Sequence, residues 1–294
     1  MKTIIDFLIT QLLVFVGSIS SHLSISKRYK LGCTIGIFFK LISSKRKKIA
    51  YDNIKTAFPG ESDSWINAIV NKSYYNLGII VSEVSAMHTF SENYLHNIIK
   101  YNNLDLLKAK HKEGKGLILL SGHFANWEIL AYSAGLFTQI PILIVVKPQK
   151  NSSSDKIINH YRTKAGNTVI SMYKAAREII KTLQGGGVIA MLADQSATSD
   201  KDVYVDFFGK PTATYKAPAE LALKFKVPVI CAFPVRQPDN TYIAEIQELK
   251  HDDLAEDEHG IFELTSRYAR MLEDAIKKNP ELWVWQHRRW KHTI

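Results

Sequence analysis

Cysteine is nearly absent from this chain. Two residues, Cys33 and Cys231, stand among 294, too few for a disulfide framework or a zinc cluster, and their scarcity suits a reducing compartment. No stretch rich in proline, glycine or serine is long enough to separate two domains, and no internal repeat is visible. A P-loop is excluded because no Gly-Lys-Ser/Thr follows Gly185-Gly186-Gly187, and a dinucleotide fingerprint because no helix follows those glycines. There is no Gly-x-Ser-x-Gly nucleophile elbow and no His-Glu-x-x-His zinc site. An uninterrupted run of about 20 apolar residues, the length that spans a bilayer, is also missing.

What is present is an excess of positive charge. Lysine and arginine number 38 against 28 acidic residues, for a formal net charge of +10. Such a surplus suits an anionic partner: a membrane surface, a phosphorylated lipid, an acidic protein or a nucleic acid. The amino terminus points to the first of these. Ile4, Ile5, Leu8, Ile9, Leu12, Phe15, Val16 and Ile19 form one wide helical stripe, interrupted by Asp6, Thr10 and Gln11. A second apolar stretch, residues 31–42, leads into Lys45-Arg46-Lys47-Lys48. An apolar stripe beside clustered cations is what a helix in an anionic membrane interface needs. The alternative is a core helix.

Beyond the turn at Pro59-Gly60, a helix is expected with Trp65, Ile69, Leu77, Ile80, Val81, Val84 and Met87 at helical spacing. Glu83 lies within that apolar pattern and requires a partner; an ion pair is expected. From residue 114 the texture alternates. Strands are expected over 116–120, 141–146, 168–170, 188–192, 227–233 and 242–246, and helices over 126–137, 154–165, 173–183, 217–225 and 260–278. This alternation predicts an α/β fold, a mostly parallel mixed sheet with helices on both faces, behind an amphipathic, membrane-associated helical segment at residues 1–48. Residues 49–294 then form one catalytic domain, with the last two strands pairing as an antiparallel edge.

The most informative segment joins the first of those strands to its helix: Gly122-His123-Phe124-Ala125-Asn126-Trp127-Glu128. A histidine just past a buried strand sits at the rim of the sheet, where α/β folds place their chemistry. Glu128 follows five positions later and can meet His123 only if the histidine is in the turn and the acid in the first turn of the helix. That pairing gives a general base and a carboxylate to fix its tautomer. Asn126 is placed to cap the helix and leave backbone N–H groups facing an anion or oxyanion.

Other candidates are weaker individually. Arg162 offers a planar fork for phosphate or carboxylate, against the reading of a solvated helix arginine. Asp194-Gln195 follows a strand at its carboxyl end, either in the site or in a solvated turn. Phe207 and Phe208 line an apolar channel or fill the core. The tail Trp283 to Lys291 interleaves tryptophans with Arg288, Arg289 and Lys291, a composition suited to a membrane interface or phosphorylated headgroup. Packing on the core is the competing reading. Stacking on nucleic acid uses the same residue types, but no nucleic-acid fold signature accompanies them, so no nucleic-acid partner is expected.

Together these blocks resemble the late acyltransferases of bacterial lipid A biosynthesis, the lauroyl/myristoyl transferase family. The matching pieces are Asn53 to Pro59, Gly122 to Glu128, Arg162, Ala193 to Gln195, Phe207 to Pro211 with Thr212 and Thr214, and Trp283 to Lys291. The resemblance implies an inner-membrane enzyme, working on the cytoplasmic side without a cofactor or metal. It moves a fatty acyl chain from acyl carrier protein to a hydroxyl of a lipid A precursor. It puts the family's His-x4-acid motif on His123 and Glu128 as the catalytic pair. Asn126, Arg162, Asp194, Gln195, Phe207, Phe208, Arg288 and Arg289 are the expected substrate-binding residues. Transfer to another lipid acceptor (a lysophospholipid or aminolipid), a thioesterase, and a non-catalytic lipid-binding protein are the alternative readings.

Overall fold

The computed structural model describes residues 2–197 and 201–292. Four helices come first: α1 (Lys2–Ser21), α2 (Ile25–Ile42), α3 (Ser44–Ala57) and α4 (Asp63–Ala86). Ser62 starts α4 by accepting from the Trp65 amide at 3.2 Å, as an N-cap serine does. Then follow α5 (Glu92–Ile98), β1 (Ile99–Asn102), α6 (Leu104–Lys112), β2 (Leu117–Ser121), α7 (Trp127–Thr138), β3 (Ile142–Val146), α8 (Ser152–Thr163), β4 (Thr168–Ser171), α9 (Ala176–Gln184) and β5 (Val188–Leu192). After them come β6 (Val203–Asp206), β7 (Pro211–Thr214), α10 (Ala217–Phe225), β8 (Val229–Arg236), β9 (Tyr242–Glu248) and α11 (Glu258–Lys278), followed by a tail with two short 3-10 turns, Pro280–Leu282 and Arg289–Lys291.

Seven strands form one mostly parallel sheet in the order β1-β9-β8-β2-β5-β3-β4. The α/β class and the six strands expected from residue 114 onward are therefore observed, with boundaries shifted by a few residues. β8 and β9 pair antiparallel, as expected, but they are not the edge, because β1 pairs parallel to β9 outside them. β1 is only four residues long, with no alternation long enough to register as a strand. The β6–β7 hairpin forms a separate two-stranded sheet.

Apolar side chains pack both faces of the large sheet. Leu117, Ile142, Val188, Ile230 and Ile246 meet α6 and α7 on one face. Ile118, Leu120 and Ile189 belong with α9, α10 and α11 on the other. This two-sided burial explains why the strands read as continuous apolar runs.

The first two helices are built the other way round. On α1 the buried residues are Thr10, Gly17 and Ser20, while Ile4, Phe7, Leu8, Leu12 and Phe15 are exposed. The Ser20 hydroxyl donates to the Ser82 carbonyl on α4 at 2.7 Å, and Asn151 at the start of α8 donates to the Asp6 carbonyl at 2.7 Å. On α2 the buried side is Arg28, Gly32 and Gly36. A Cβ on Gly32 or Gly78 would stand under 3 Å from the facing backbone, so glycine is what lets α2 and α4 approach this closely. Small and polar residues make the helix contacts while the large apolar ones face outward, the arrangement typical of helices packed within lipid.

Candidate active site

Parallel register decides which residues meet at the rim. Ser121 of β2 lies opposite Leu192 of β5. Two residues further along each strand come His123 and Asp194. The His123 Nδ1 and an Asp194 carboxylate oxygen are 2.7 Å apart, and the backbone N–H of His123 donates to the other oxygen at 2.7 Å. The indole N–H of Trp283 donates to that second oxygen at 2.8 Å. Gly122 stands just behind, where a Cβ would come within 3.2 Å of the Asp194 carboxylate. No larger residue fits there unless its neighbours shift.

The loop holding His123 is tightly wound. The Phe124 amide donates to the Gly122 carbonyl at 2.7 Å, a turn of three residues centred on the histidine. Ala125 has a φ of +41°, an unfavourable conformation for a residue with a Cβ and one that surrounding contacts must hold. The carboxyl-terminal tail provides those contacts. The Ala125 amide donates to the Leu282 carbonyl at 2.7 Å, and the Val284 amide to the His123 carbonyl at 3.1 Å.

The acid on Nδ1 is thus Asp194 and not Glu128, a correction to the pairing expected from the sequence. Glu128 does sit in the first turn of α7 and His123 in the turn before it, as that pairing required. But Glu128 is claimed by Arg162 of α8, whose Nε donates to one carboxylate oxygen at 2.7 Å and whose Nη2 bonds the other. A two-pronged guanidinium–carboxylate bond is among the strongest a protein makes. The Trp127 indole also donates to Glu128, at 3.1 Å. Asn159 Oδ1 accepts from Arg162 Nη1 at 2.6 Å.

These partners set the charges. Burial by itself opposes a positive imidazole on His123, but the charge and hydrogen bond of Asp194 outweigh it, with Glu128 assisting and Arg162 opposing, so its pKa lies above 6.5. Burial raises the pKa of Asp194, yet His123, Trp283 and the His123 amide together bring it well below the usual carboxylate range. The ionised acid therefore keeps the proton on Nδ1 and leaves Nε2 with its lone pair. The side-chain nitrogen of Gln195 lies 3.1 Å from that Nε2, so Asp194 and Gln195, adjacent in sequence, occupy the two ring nitrogens.

His123, Trp127, Glu128, Arg162 and Gln195 all line a cavity of about 1220 Å³ at the carboxyl end of the sheet. Leu119, Ala134, Ile144, Ala190 and Ile246 contribute to its apolar wall. Ligand pockets commonly run to about 300–1,000 Å³, so this one has room for more than a single aliphatic chain.

The other candidate residues are not at the cavity. Asn126 caps α7 as expected, accepting from the Ile129 amide at 3.0 Å. Its amide donates to Glu83 at 2.7 Å, so it is enclosed and stands outside the cavity lining. Asp194 is likewise buried, behind the imidazole, where it bonds His123 and Trp283. Glu83 accepts from Asn126 and from the Tyr242 hydroxyl at 2.7 Å, with hydrogen bonds where an ion pair was expected. Phe207 is fully buried against Trp283 and Trp290, and Phe208 packs on Phe58 and Trp290. Phe207 belongs to the core and Phe208 packs at its edge; neither lines the cavity. Arg289 is buried and donates to the Ala213 carbonyl at 2.6 Å and to the Thr214 hydroxyl at 2.5 Å, pinning the tail to β7. Arg288 is exposed. Trp283, expected only as part of an interfacial or core-packed tail, completes the shell around Asp194.

With this geometry established, the comparison with known proteins decides the family. Residues 2–292 match the family described as bacterial lipid A biosynthesis acyltransferase. The chain belongs to that family. It is 23% identical over 265 residues to the lipid A biosynthesis lauroyltransferase of Escherichia coli (strain K12), covering 90% of this chain and 85% of that protein. To a lipid A biosynthesis acyltransferase of Haemophilus influenzae (strain ATCC 51907 / DSM 11121 / KW20 / Rd) it is 24% identical over 253 residues, 85% of this chain and 79% of the relative. The lipid A biosynthesis palmitoleoyltransferase of Escherichia coli (strain K12) is 21% identical over 262 residues, 89% and 84% of the two chains. The fold, the family and acyltransferase activity thus agree with the resemblance seen in the sequence.

Proposed function

We propose that this acyltransferase moves a fatty acyl chain from an acyl carrier protein thioester to a hydroxyl of a lipid A precursor, at the cytoplasmic face of the inner membrane. The reading is carried by one observation: an imidazole in the wall of an apolar cavity with one nitrogen fixed by a buried carboxylate and the other beside the Gln195 amide, whose place the acceptor hydroxyl takes. His123 Nε2 takes the proton of the acceptor hydroxyl. The oxygen attacks the thioester carbonyl, a C–O bond forms, and the C–S bond breaks. The proton returns from His123 to the departing thiolate. Asp194 holds the Nδ1 proton throughout and supports the imidazolium that forms between the two transfers. Base catalysis of this kind contributes roughly 10²–10⁴-fold.

Glu128 acts through Arg162. It aims the guanidinium at the cavity, and the N–H groups of Arg162 left over from Glu128 and Asn159 are donors for the carbonyl oxygen as it becomes an oxyanion. Membrane attachment is supported by the outward apolar surface of α1 and by the lysines and arginine at 45–48 that follow α2. α1 contains an 18-residue apolar window, Ile4–Ser21.

The test is to incubate the purified chain with acyl carrier protein thioesters and a lipid A precursor, then weigh the lipids by mass spectrometry. A product heavier by one acyl group is expected. Release of free fatty acid with no acylated lipid would overturn the reading in favour of a thioesterase.

A further inference from the structure

The residues lining the cavity come from both faces of the sheet, so its space divides into two lobes. In a sheet covered on both sides, central-strand side chains are normally buried. Here Leu119 and Ala190 keep partial exposure on the face covered by α6 and α7, and Val145 and Met191 keep it on the face covered by α9, α10 and α11. All four line the same cavity, which passes over the rim at His123. The first lobe runs beneath α7 among Leu107, Ala134, Ile144 and Ile246, all buried. The second runs beneath α9 and α10 among Ala175, Ile179 and Leu221 and opens at Ala176 and Ile180.

The second lobe has a mark the first lacks. Outside α1 and α2, the large apolar side chains left exposed among the described residues are Met172, Tyr173, Ile180 and Phe262. Met172 and Ile180 line this lobe, Tyr173 adjoins Met172, and Phe262 adjoins the lining residue Ile261. Exposed apolar side chains gathered at a pocket mouth mark a place where hydrocarbon enters.

We propose that the lobe beneath α9 and α10 binds a hydrocarbon chain of the acceptor lipid, while the donor's acyl chain fills the enclosed lobe beneath α7. This rests on the acyltransferase reading above. Two apolar substrates must be present together for the transfer, and the two lobes meet where His123 stands between them. The acceptor chain slides in sideways at Ile180. The donor chain, arriving as a thioester, enters the closed lobe from the rim.

Ala176 is exposed at the start of α9, so Ala176→Trp narrows the mouth without a cavity or clash in the core. Ile180→Gln makes the same mouth polar. With the lipid A precursor and an acyl carrier protein thioester as substrates, each variant should raise the KM for the lipid about tenfold and move the KM for the thioester less than twofold. Thermal unfolding at the wild-type temperature establishes that both remain folded. An unchanged lipid KM in both variants, or a shift in the preferred donor chain length instead, would overturn the assignment of this lobe. Absence of acyl transfer by the wild-type chain under the same conditions would overturn the catalytic reading itself, a failure distinct from either of those.

Discussion

The loop after β2 and the carboxyl-terminal tail carry much the same kinds of residue, yet the structure uses them in opposite ways. Both are short and rich in histidine, tryptophan and charge. In the loop, His123, Trp127 and Glu128 face the cavity. In the tail, Trp283, Trp285 and Arg289 are buried, and Trp283 reaches the site only from behind, through Asp194. The difference lies in what each segment can lean on. The loop ends a strand at the open rim of a parallel sheet. The tail runs between α4, the β6–β7 hairpin and the loop itself, where Trp283, Trp285 and Arg289 are closed in by other side chains. Chemistry-bearing residue types therefore do not locate a site unless their position relative to the sheet is known.

The largest expected effect falls on the loop. His123→Ala should lower the transfer rate by about 10²–10⁴-fold while leaving thermal unfolding close to wild type, as steady-state kinetics and calorimetry would establish. Retention of most of the rate would break the contrast. The tail side should respond in the opposite currency. Phe207→Ala, which empties space between Trp283 and Trp290, should cost about 3–5 kcal/mol of stability, read by denaturant unfolding, with activity lost only as the fold is lost. A stable but inactive variant would show that the aromatic cluster takes part in the reaction. Arg288→Ala sharpens the comparison from the other end. Its side chain is exposed, so the change should stay within about 0.5 kcal/mol in stability and within twofold in rate, and a large drop in lipid binding would return Arg288 to the substrate-contacting set.

Much of this is legible in the sequence. An apolar run ended by glycine marks β2, and alternation marks the helices and the large-sheet strands from residue 114 onward, but not the β6–β7 hairpin. Asn126 reads correctly as a cap because capping is local. What stayed hidden depends on register and on distance along the chain. His123 and Asp194 are 71 positions apart, yet each is two residues beyond its strand. Nothing in a single sequence says that β2 and β5 are neighbours, so the nearby Glu128 was the natural partner to assign. Its pairing with Arg162 depends on how α8 is placed against α7, again a tertiary matter. The outward stripe of α1 was visible as a stripe. Only the packing of Thr10, Gly17 and Ser20 against α4 and α8 shows that the apolar side is the free one.

Which acid governs the base is settled most directly by comparing pH–rate profiles of wild type, Asp194→Asn and Glu128→Gln. Because the pKa of His123 is raised by Asp194, the neutral base forms only above pH 6.5 and the wild-type rate should climb on that side. The same shift means the pair's contribution to stability is complete below the unfolded histidine value of about 6.5 and is lost as pH rises through the folded one. At the acid end the contribution of Asp194 is whole above the unfolded aspartate value of about 3.9 and is lost as pH falls from there through the lower folded one. Removing the Asp194 charge should move the climb to lower pH and lower the plateau. Glu128→Gln, farther from the ring, should lower the plateau and move the climb much less. A profile that stays in place in Asp194→Asn and shifts in Glu128→Gln would contradict the account.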